Sequence, residues 1–401
     1  MSNKVLLTKK LVISIIFTLA VGSLLGNAKA GSTAEVEKVK IGIVGFLSGP
    51  ALPWGLAQQQ SGRIFVNAIN EEGGLLVRGK RYRFEIVAYD DKASPSGAVS
   101  ALTKMIFDNG CKHIFGPLTA SACVAVQSLT KSNNILNFIS GFTKIPRGPE
   151  YPLTFSWCES PYERYPAICS WMKKNHPNVR NIVIIGTNDE AGHTAVDGAK
   201  LAMPKVGYDY KVELYERGTI DFYPMLTRVL AQKPDYIDLD GSPPGDSALM
   251  VKQVRELGYK GLIGTIASGI DEVAFCKIAG KENAEGYISI GLCGEKFASP
   301  EYIKWMDNYV KTFGTWNAWA AESYVGFQCF KQAILRANSL DPVKIAEKLT
   351  GGKDFNTIYG KVYFGGKGIY GRDSQMLYDV QISQMIDGQN QTVALIPPEI
   401  K

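Results

Sequence analysis

Short apolar runs bounded by glycine and turn residues alternate along this chain with longer stretches whose apolar positions recur every three or four residues. The runs at 39–47, 82–89, 112–116, 135–140, 181–186, 211–215, 236–240, 262–266 and 287–290 predict strands. Segments near 54–72, 96–109, 120–131, 162–175, 194–203, 222–232, 247–257 and 300–313 carry the helical period. KIGIVG, from Lys40 to Gly45, and IVIIG, from Ile182 to Gly186, are apolar at successive positions, as central parallel strands covered on both faces require. Regular strand–helix alternation implies right-handed crossovers and doubly wound sheets, an α/β fold. A single sheet of this many strands is too long, which puts a division near 155–161. After Gly291 the pattern shifts to helices at 318–337 and 342–349, then late strands at 359–364 and 377–385. Late elements of this kind return to complete earlier domains.

The start of the chain has a different character. Lys9 and Lys10 precede an apolar stretch from Leu11 to Gly26, and Ala28-Lys29-Ala30 follows as a small-x-small cleavage motif. This predicts an export signal removed after Ala30, leaving a soluble protein of residues 31–401 in the periplasm. The segment 1–30 holds Lys4, Lys9, Lys10 and Lys29 and no acid, so the net charge of +6 falls to about +2 on its removal. A near-neutral mature chain without a basic block gives no support for nucleic acid as a partner.

The seven cysteines are scattered, without a C-x-x-C, and are read as buried thiols; Cys158 with Cys169 and Cys276 with Cys293 are the pairs to examine for bridges. Three histidines and no C-x-x-C give no metal site. His113 lies in an apolar strand and His176 precedes Pro177, both structural positions. His193 has Glu190 three residues before it but no third ligand or base partner. Gly45-Phe46-Leu47-Ser48-Gly49 matches neither a P-loop nor a dinucleotide fingerprint, and no nucleophile elbow occurs. The expectation is a binding protein without enzymatic activity or cofactor.

Ligands of doubly wound sheets lie beyond the carboxyl ends of the strands. Three loops supply suitable groups there: Ser48 to Trp54 carries an indole, Leu118 to Ala122 opens a helix, and Ser140 to Thr143 ends a strand with a hydroxyl. Free N–H groups at Ala120, Ser121 and Ala122 suit a carboxylate, while Thr119 and Ser121 are equally read as helix caps. In YIDLD, alternation puts Asp238 and Asp240 on one face of a buried strand, where an acid needs a partner. That partner is a ligand cation, a salt bridge or the following helix. Asp189 and Glu190 have the same ambiguity after 181–186.

The segments IGIVGFLSGPALPWG, NAINEEGGLLVRGKRY, IVAYDDKASPSGAV, IFGPLTASA and FISGFT occur in this order. Together they resemble the periplasmic solute-binding proteins of branched-chain amino acid ABC transporters, the Leu/Ile/Val-binding type, over essentially the whole mature chain. The resemblance implies two lobes joined by three hinge crossovers, the type I periplasmic binding fold. The first lobe would comprise 31–157 and 291–367, the second 158–290 and 368–401, with the third crossover near 366–372. It also implies a monomer that closes on a small molecule and delivers it to ABC permease subunits in the membrane. A ligand-sensing receptor or chemoreceptor adaptor of the same fold is the alternative.

Carried over by position, Trp54, Ala120, Ser121, Ala122, Phe142 and Thr143 match the first-lobe pocket. The second lobe departs from the family. Ala191 stands where a cleft tyrosine is usual, a tyrosine is missing near Ser242 and Pro243, and the expected acid falls at Ile266 and Ala267. An α-ammonium in a dry cleft then lacks its carboxylate unless Asp240 or Glu190 substitutes. The smaller residues leave room for a bulkier body, stacked on Trp54, Phe142, Trp319 or Tyr162. The expected ligand is therefore an aromatic or other large organic acid ahead of a leucine-like amino acid, with an amide or urea-like molecule third.

Overall fold

Both faces of each of two sheets are covered, and the central strands are buried along their length. The computed structural model describes residues 37–49, 51–268, 272–291, 297–317 and 319–399, without the side chains of 266–268. The expected export signal with its cleavage after Ala30, and Cys293, lie outside the described residues. So do the side chains of Ile266 and Ala267, on which part of the second-lobe reading rested.

The first sheet runs β12-β13-β14-β6-β5-β4-β1-β3-β2. Its strands are β1 (Glu37–Gly45), β2 (Leu75–Val77), β3 (Lys80–Asp90), β4 (His113–Phe115), β5 (Leu136–Ile139), β6 (Thr154–Ser156), β12 (Phe355–Thr357), β13 (Gly360–Gly365) and β14 (Gln375–Leu377). The second runs β16-β15-β11-β10-β9-β7-β8. It contains β7 (Asn181–Thr187), β8 (Asp209–Tyr215), β9 (Tyr236–Asp238), β10 (Leu262–Ser268), β11 (Ile288–Ile290), β15 (Val380–Ile386) and β16 (Gln389–Ile396). The cores β1-β4-β5-β6 and β8-β7-β9-β10-β11 are parallel. Antiparallel pairs β13–β14 and β15–β16 lie toward the edges.

The chain changes sheet three times: between β6 and β7, between β11 and β12, and between β14 and β15. The last change corrects the expected position. The second lobe is expected to resume at residue 368, yet β14 still pairs with β6 through Gln375 and Ser156, so the chain leaves the first sheet only at Tyr378 and Asp379. The run at 377–385, read as one strand, is the end of β14 and most of β15, split by that crossover. Its apolar pattern is continuous because both pieces are buried, which hides the break from periodicity.

In the first lobe one face of the sheet packs on the parallel helices Leu52–Glu71 and Trp319–Ala337. Phe115 stacks on Phe327 with centroids 3.9 Å apart and on Phe138 at 4.6 Å. The helix Leu52–Glu71 starts hard against the end of β1: a Cβ on Gly55 would come within 2.0 Å of the Phe46 carbonyl oxygen. Any side chain there would push the helix, and Trp54 with it, off the strand. The other face is covered by the helix Pro95–Phe107 through Leu102 and Met105. The second sheet is likewise enclosed, by a layer including Leu226 and Val251 on one side and Tyr165 and Ile168 on the other.

Cys111, Cys123, Cys158, Cys169 and Cys329 are buried free thiols, and Cys276 is a half-buried one. Cys158 and Cys169 therefore form no bridge; Cys158 packs in the first lobe and Cys169 in the second. His113 is buried against the Leu340 carbonyl at 3.0 Å, and burial lowers its pKa to about 4, a neutral core histidine. His193 is exposed on the helix Glu190–Val206.

Candidate functional site

The loops after β4 and β5 meet. A Cβ on Gly141 would lie 2.7 Å from the Cys123 sulfur and 2.9 Å from the Ala120 Cα, so only glycine lets the 140–143 loop sit on the start of the helix Ala120–Ala125. The loop is held from behind by buried Arg147, which donates to the Gly141 carbonyl at 2.6 Å, to Gln375 Oε1 at 2.6 Å and to the Tyr370 hydroxyl at 2.9 Å. Thr143 is buried and Phe142 half-buried; Ser121 is exposed beside them. Thr119 caps the helix by accepting from the Ala122 N–H at 3.4 Å, so that N–H is already engaged. The helix Ala120–Ala125 touches the helix Glu190–Val206 of the second lobe, which brings the two lobes together across the cleft.

Aromatic rings line the first-lobe side. Trp54, 36% exposed, lies 6.3 Å from Phe46 and 6.2 Å from Trp319, and Trp319 meets Trp157 edge-on at 5.5 Å. The loop before Trp54 is fixed by Asp90, which accepts from the Ser48 hydroxyl at 2.5 Å and the Leu47 N–H at 3.1 Å. Asn317 donates to the Pro53 carbonyl at 2.8 Å, tying the start of the helix Trp319–Ala337 to that of Leu52–Glu71. The sequence could place Trp54 at a strand mouth. Its pairing with Trp319 depends on a helix more than 250 residues away.

On the second-lobe side the candidates divide. Glu190 is exposed in the first turn of its helix, and Asp189 before it is that helix's cap, accepting from Ala191 at 3.0 Å and paired with Arg217. Ala191 is half-buried. The Ser242 hydroxyl donates to the Ile185 carbonyl at 3.0 Å, which makes it a pin between strands. Asp240 is different. It is 1% exposed and its Oδ2 has no hydrogen-bond partner among the described residues. Burial lifts its pKa to about 6 against the pull of Arg164, and neighbouring Asp238, which accepts from the Tyr165 hydroxyl at 2.8 Å, is raised further.

Asp240 therefore keeps its proton to about pH 6 in the folded protein but only to about pH 4 in the unfolded chain. Stability is greatest below the unfolded value and falls as pH rises through the folded one. Asp240→Asn is expected to raise the melting temperature at pH 7.5, by the equivalent of about 1–3 kcal/mol, and to change it little at pH 4. Thermal melts of both proteins at both pH values check this; an equal effect at the two would show that Asp240 titrates normally.

Sequence reasoning missed the group at the centre of the cleft. Arg164, on the second-lobe helix Pro161–Asn175, is buried with its guanidinium 5.2 Å from the Phe142 ring. It lies 3.6 Å from Glu322 and 3.9 Å from Glu159, and Glu322 also accepts from the Tyr378 hydroxyl. Burial alone would lower the Arg164 pKa, but these acids hold it up; burial pushes the Glu159 carboxyl well above its usual range. The available signal was an arginine on the same helical face as buried Ile168. Trp157, Gln58 and Ser323 were also missed. They are buried, and Trp157 Nε1, both Gln58 amide atoms and Ser323 Oγ lack partners among the described residues, as does Trp319 Nε1. Each such atom costs about 1–3 kcal/mol when dry.

The family model for periplasmic binding proteins matches residues 38–390. The chain belongs to the periplasmic binding protein family. Among relatives of this periplasmic binding protein, the Leu/Ile/Val-binding protein BraC3 of Rhizobium johnstonii is 24% identical over 353 residues, 87% of this chain and 93% of the relative. The Leu/Ile/Val-binding protein of Escherichia coli K12 is 26% identical over 64% of this chain and 68% of its own. Among solved structures, the branched-chain amino acid transporter substrate-binding protein of Streptococcus pneumoniae with isoleucine gives a TM-score of 0.75 at 20% identity, covering 90% of this chain and all of that one. An ABC transporter solute-binding protein of Rhodopseudomonas palustris with benzoate gives 0.73 at 15%, covering 90% and 97%. These likenesses show the two-lobed fold. A periplasmic binding protein is an exported protein that holds and releases a solute without converting it, and no described helix is long and apolar enough to cross a membrane.

Proposed function

We propose that this chain is the extracytoplasmic solute-binding subunit of an ABC importer, which captures a small carboxylate-bearing ligand between its lobes and passes it to membrane permease subunits. The observation carrying this reading is the aromatic pair of Trp54 and Trp319, with Phe142 on the loop that sits on the start of the helix Ala120–Ala125. The N–H groups of Ala120 and Ser121 and the hydroxyls of Ser121 and Thr143 suit a carboxylate, and the rings suit an aromatic or otherwise bulky body. The Leu/Ile/Val-binding names of its relatives and the benzoate complex among its structural neighbours both concern small carboxylates.

A second reading, an α-amino acid, is favoured by one observation, the buried unpaired oxygen of Asp240. Its proton would leave when an ammonium bound beside it, and affinity would then weaken as pH fell below about 6. Glu190, being exposed, offers no comparable site.

The test is a thermal-shift panel on residues 31–401, stripped of ligand by unfolding and refolding. Branched-chain and aromatic amino acids are compared with benzoate, phenylacetate and short amides. A ligand at about 100 times its dissociation constant adds roughly 2.7 kcal/mol. Stabilisation by acids lacking an ammonium, lost in Trp54→Ala and Ser121→Ala with the fold intact, supports the first reading. A leucine or valine response that fades at low pH supports the second. Unchanged affinity in both variants removes the pocket assignment.

A further inference from the structure

The helices Leu52–Glu71 and Trp319–Ala337 run side by side from the cleft, tied by Asn317 to Pro53 at 2.8 Å and by the Ser61 hydroxyl to the Ala320 carbonyl at 2.7 Å. Gln58 lies one turn below Trp54 and Ser323 one turn below Trp319, so all four belong to the first two turns of these adjoining helices. Trp157 adjoins them, its ring 5.5 Å from Trp319 and its Cβ pressed on Gly326, where an added Cβ would come within 2.8 Å. Gathered here are two indole N–H groups, a complete carboxamide and a hydroxyl, all buried and without partners among the described residues. Buried polar groups are normally satisfied, and one orphan is unremarkable where a patch of them on three separate segments is not.

We propose that Trp157, Trp319, Gln58 and Ser323 form a second subsite that hydrogen-bonds a neutral hydroxyl or carboxamide at the far end of the bound acid. The inference rests on the carboxylate reading above. Indole N–H groups only donate, so the ligand group must accept; the Gln58 amide both donates and accepts, so it must also donate. A second carboxylate is disfavoured because none of the four groups carries a charge to match it. Plain hydrocarbon bodies such as those of leucine or benzoate would leave these groups dry and unpaired. The ligand class is thus a small acid with a hydroxyl or amide terminus.

Calorimetric titration of two matched pairs tests this: phenylacetate against 4-hydroxyphenylacetate, and hexanoate against 6-amino-6-oxohexanoate. In the wild type at least one substituted member is expected to bind about tenfold or more tightly than its parent. Trp157→Phe keeps a ring but loses the N–H, and Gln58→Leu removes the amide. Each is expected to bring that ratio to within about threefold while leaving the parent acid's affinity in place, with melting curves reporting the fold. Parents that bind as well as their substituted partners overturn the subsite but leave the carboxylate reading standing. A preference that survives in both variants also overturns it. Failure of all four compounds to bind takes down the carboxylate reading, and the subsite with it.

Discussion

Arg164→Ala is expected to destabilise the protein by about 3–5 kcal/mol, among the largest effects of any single replacement. The guanidinium is buried and has acids on both sides, Glu322 at 3.6 Å from the first lobe and Glu159 at 3.9 Å from the crossover. Removing the cation leaves Glu322 buried beside Tyr378 without its counter-charge. The loss should sit toward the lower end of that range, because Glu159 already favours its protonated form. Equilibrium urea unfolding measures it, and pairing the change with Glu322→Gln should recover part of the loss by removing the stranded acid. An unchanged midpoint in Arg164→Ala would mean that the cation is hydrated in solution and holds nothing together.

Arg147→Ala is expected to cost about 2–4 kcal/mol and, unlike the Arg164 change, to weaken ligand binding through a loop it does not itself expose to the cleft. Its guanidinium satisfies the Gly141 carbonyl, Gln375 and Tyr370 together. Tyr370 in turn donates to Glu163 at 2.5 Å, and Glu163 accepts from the Ser160 N–H at 2.6 Å at the start of the first second-lobe helix. One chain of hydrogen bonds thus links the loop bearing Phe142 and Thr143 to the helix bearing Arg164. Losing its middle member frees the loop and orphans two buried acceptors. Unfolding and titration on the same preparation separate the two effects. Lowered stability with unchanged affinity would confine Arg147 to a structural part and remove the loop from the site.

Much of the fold was legible because its central strands are short, doubly buried and set off by glycine. KIGIVG and IVIIG became β1 and β7, each beginning a strand–loop–helix unit. What escaped was too short or too polar to show a period. The three-residue strands β2, β6 and β12 hold barely one alternation, and β16 begins with the polar run Gln389, Asn390, Gln391 and Thr392. In the site, Asp240 was legible from alternation, since an acid on a buried face stands out in sequence. Glu190 and Ser242 had the same local credentials, and only tertiary contacts show one to be exposed and the other to be a strand pin. Arg164, Glu322 and Tyr378 are spread over more than 200 positions, and no local pattern announces that they meet.

The position of the last crossover bears on how the chain matures. A nascent polypeptide that has delivered residues up to 370 has supplied neither β14 nor β15. At that stage β6 and β11, both interior in the finished sheets, are unpaired on one side. The two lobes therefore wait on the same final stretch of chain, although most of each has been made long before. For an exported protein this order suits passage across the membrane, because neither sheet can be completed on the inner side while its closing strands are still being synthesised.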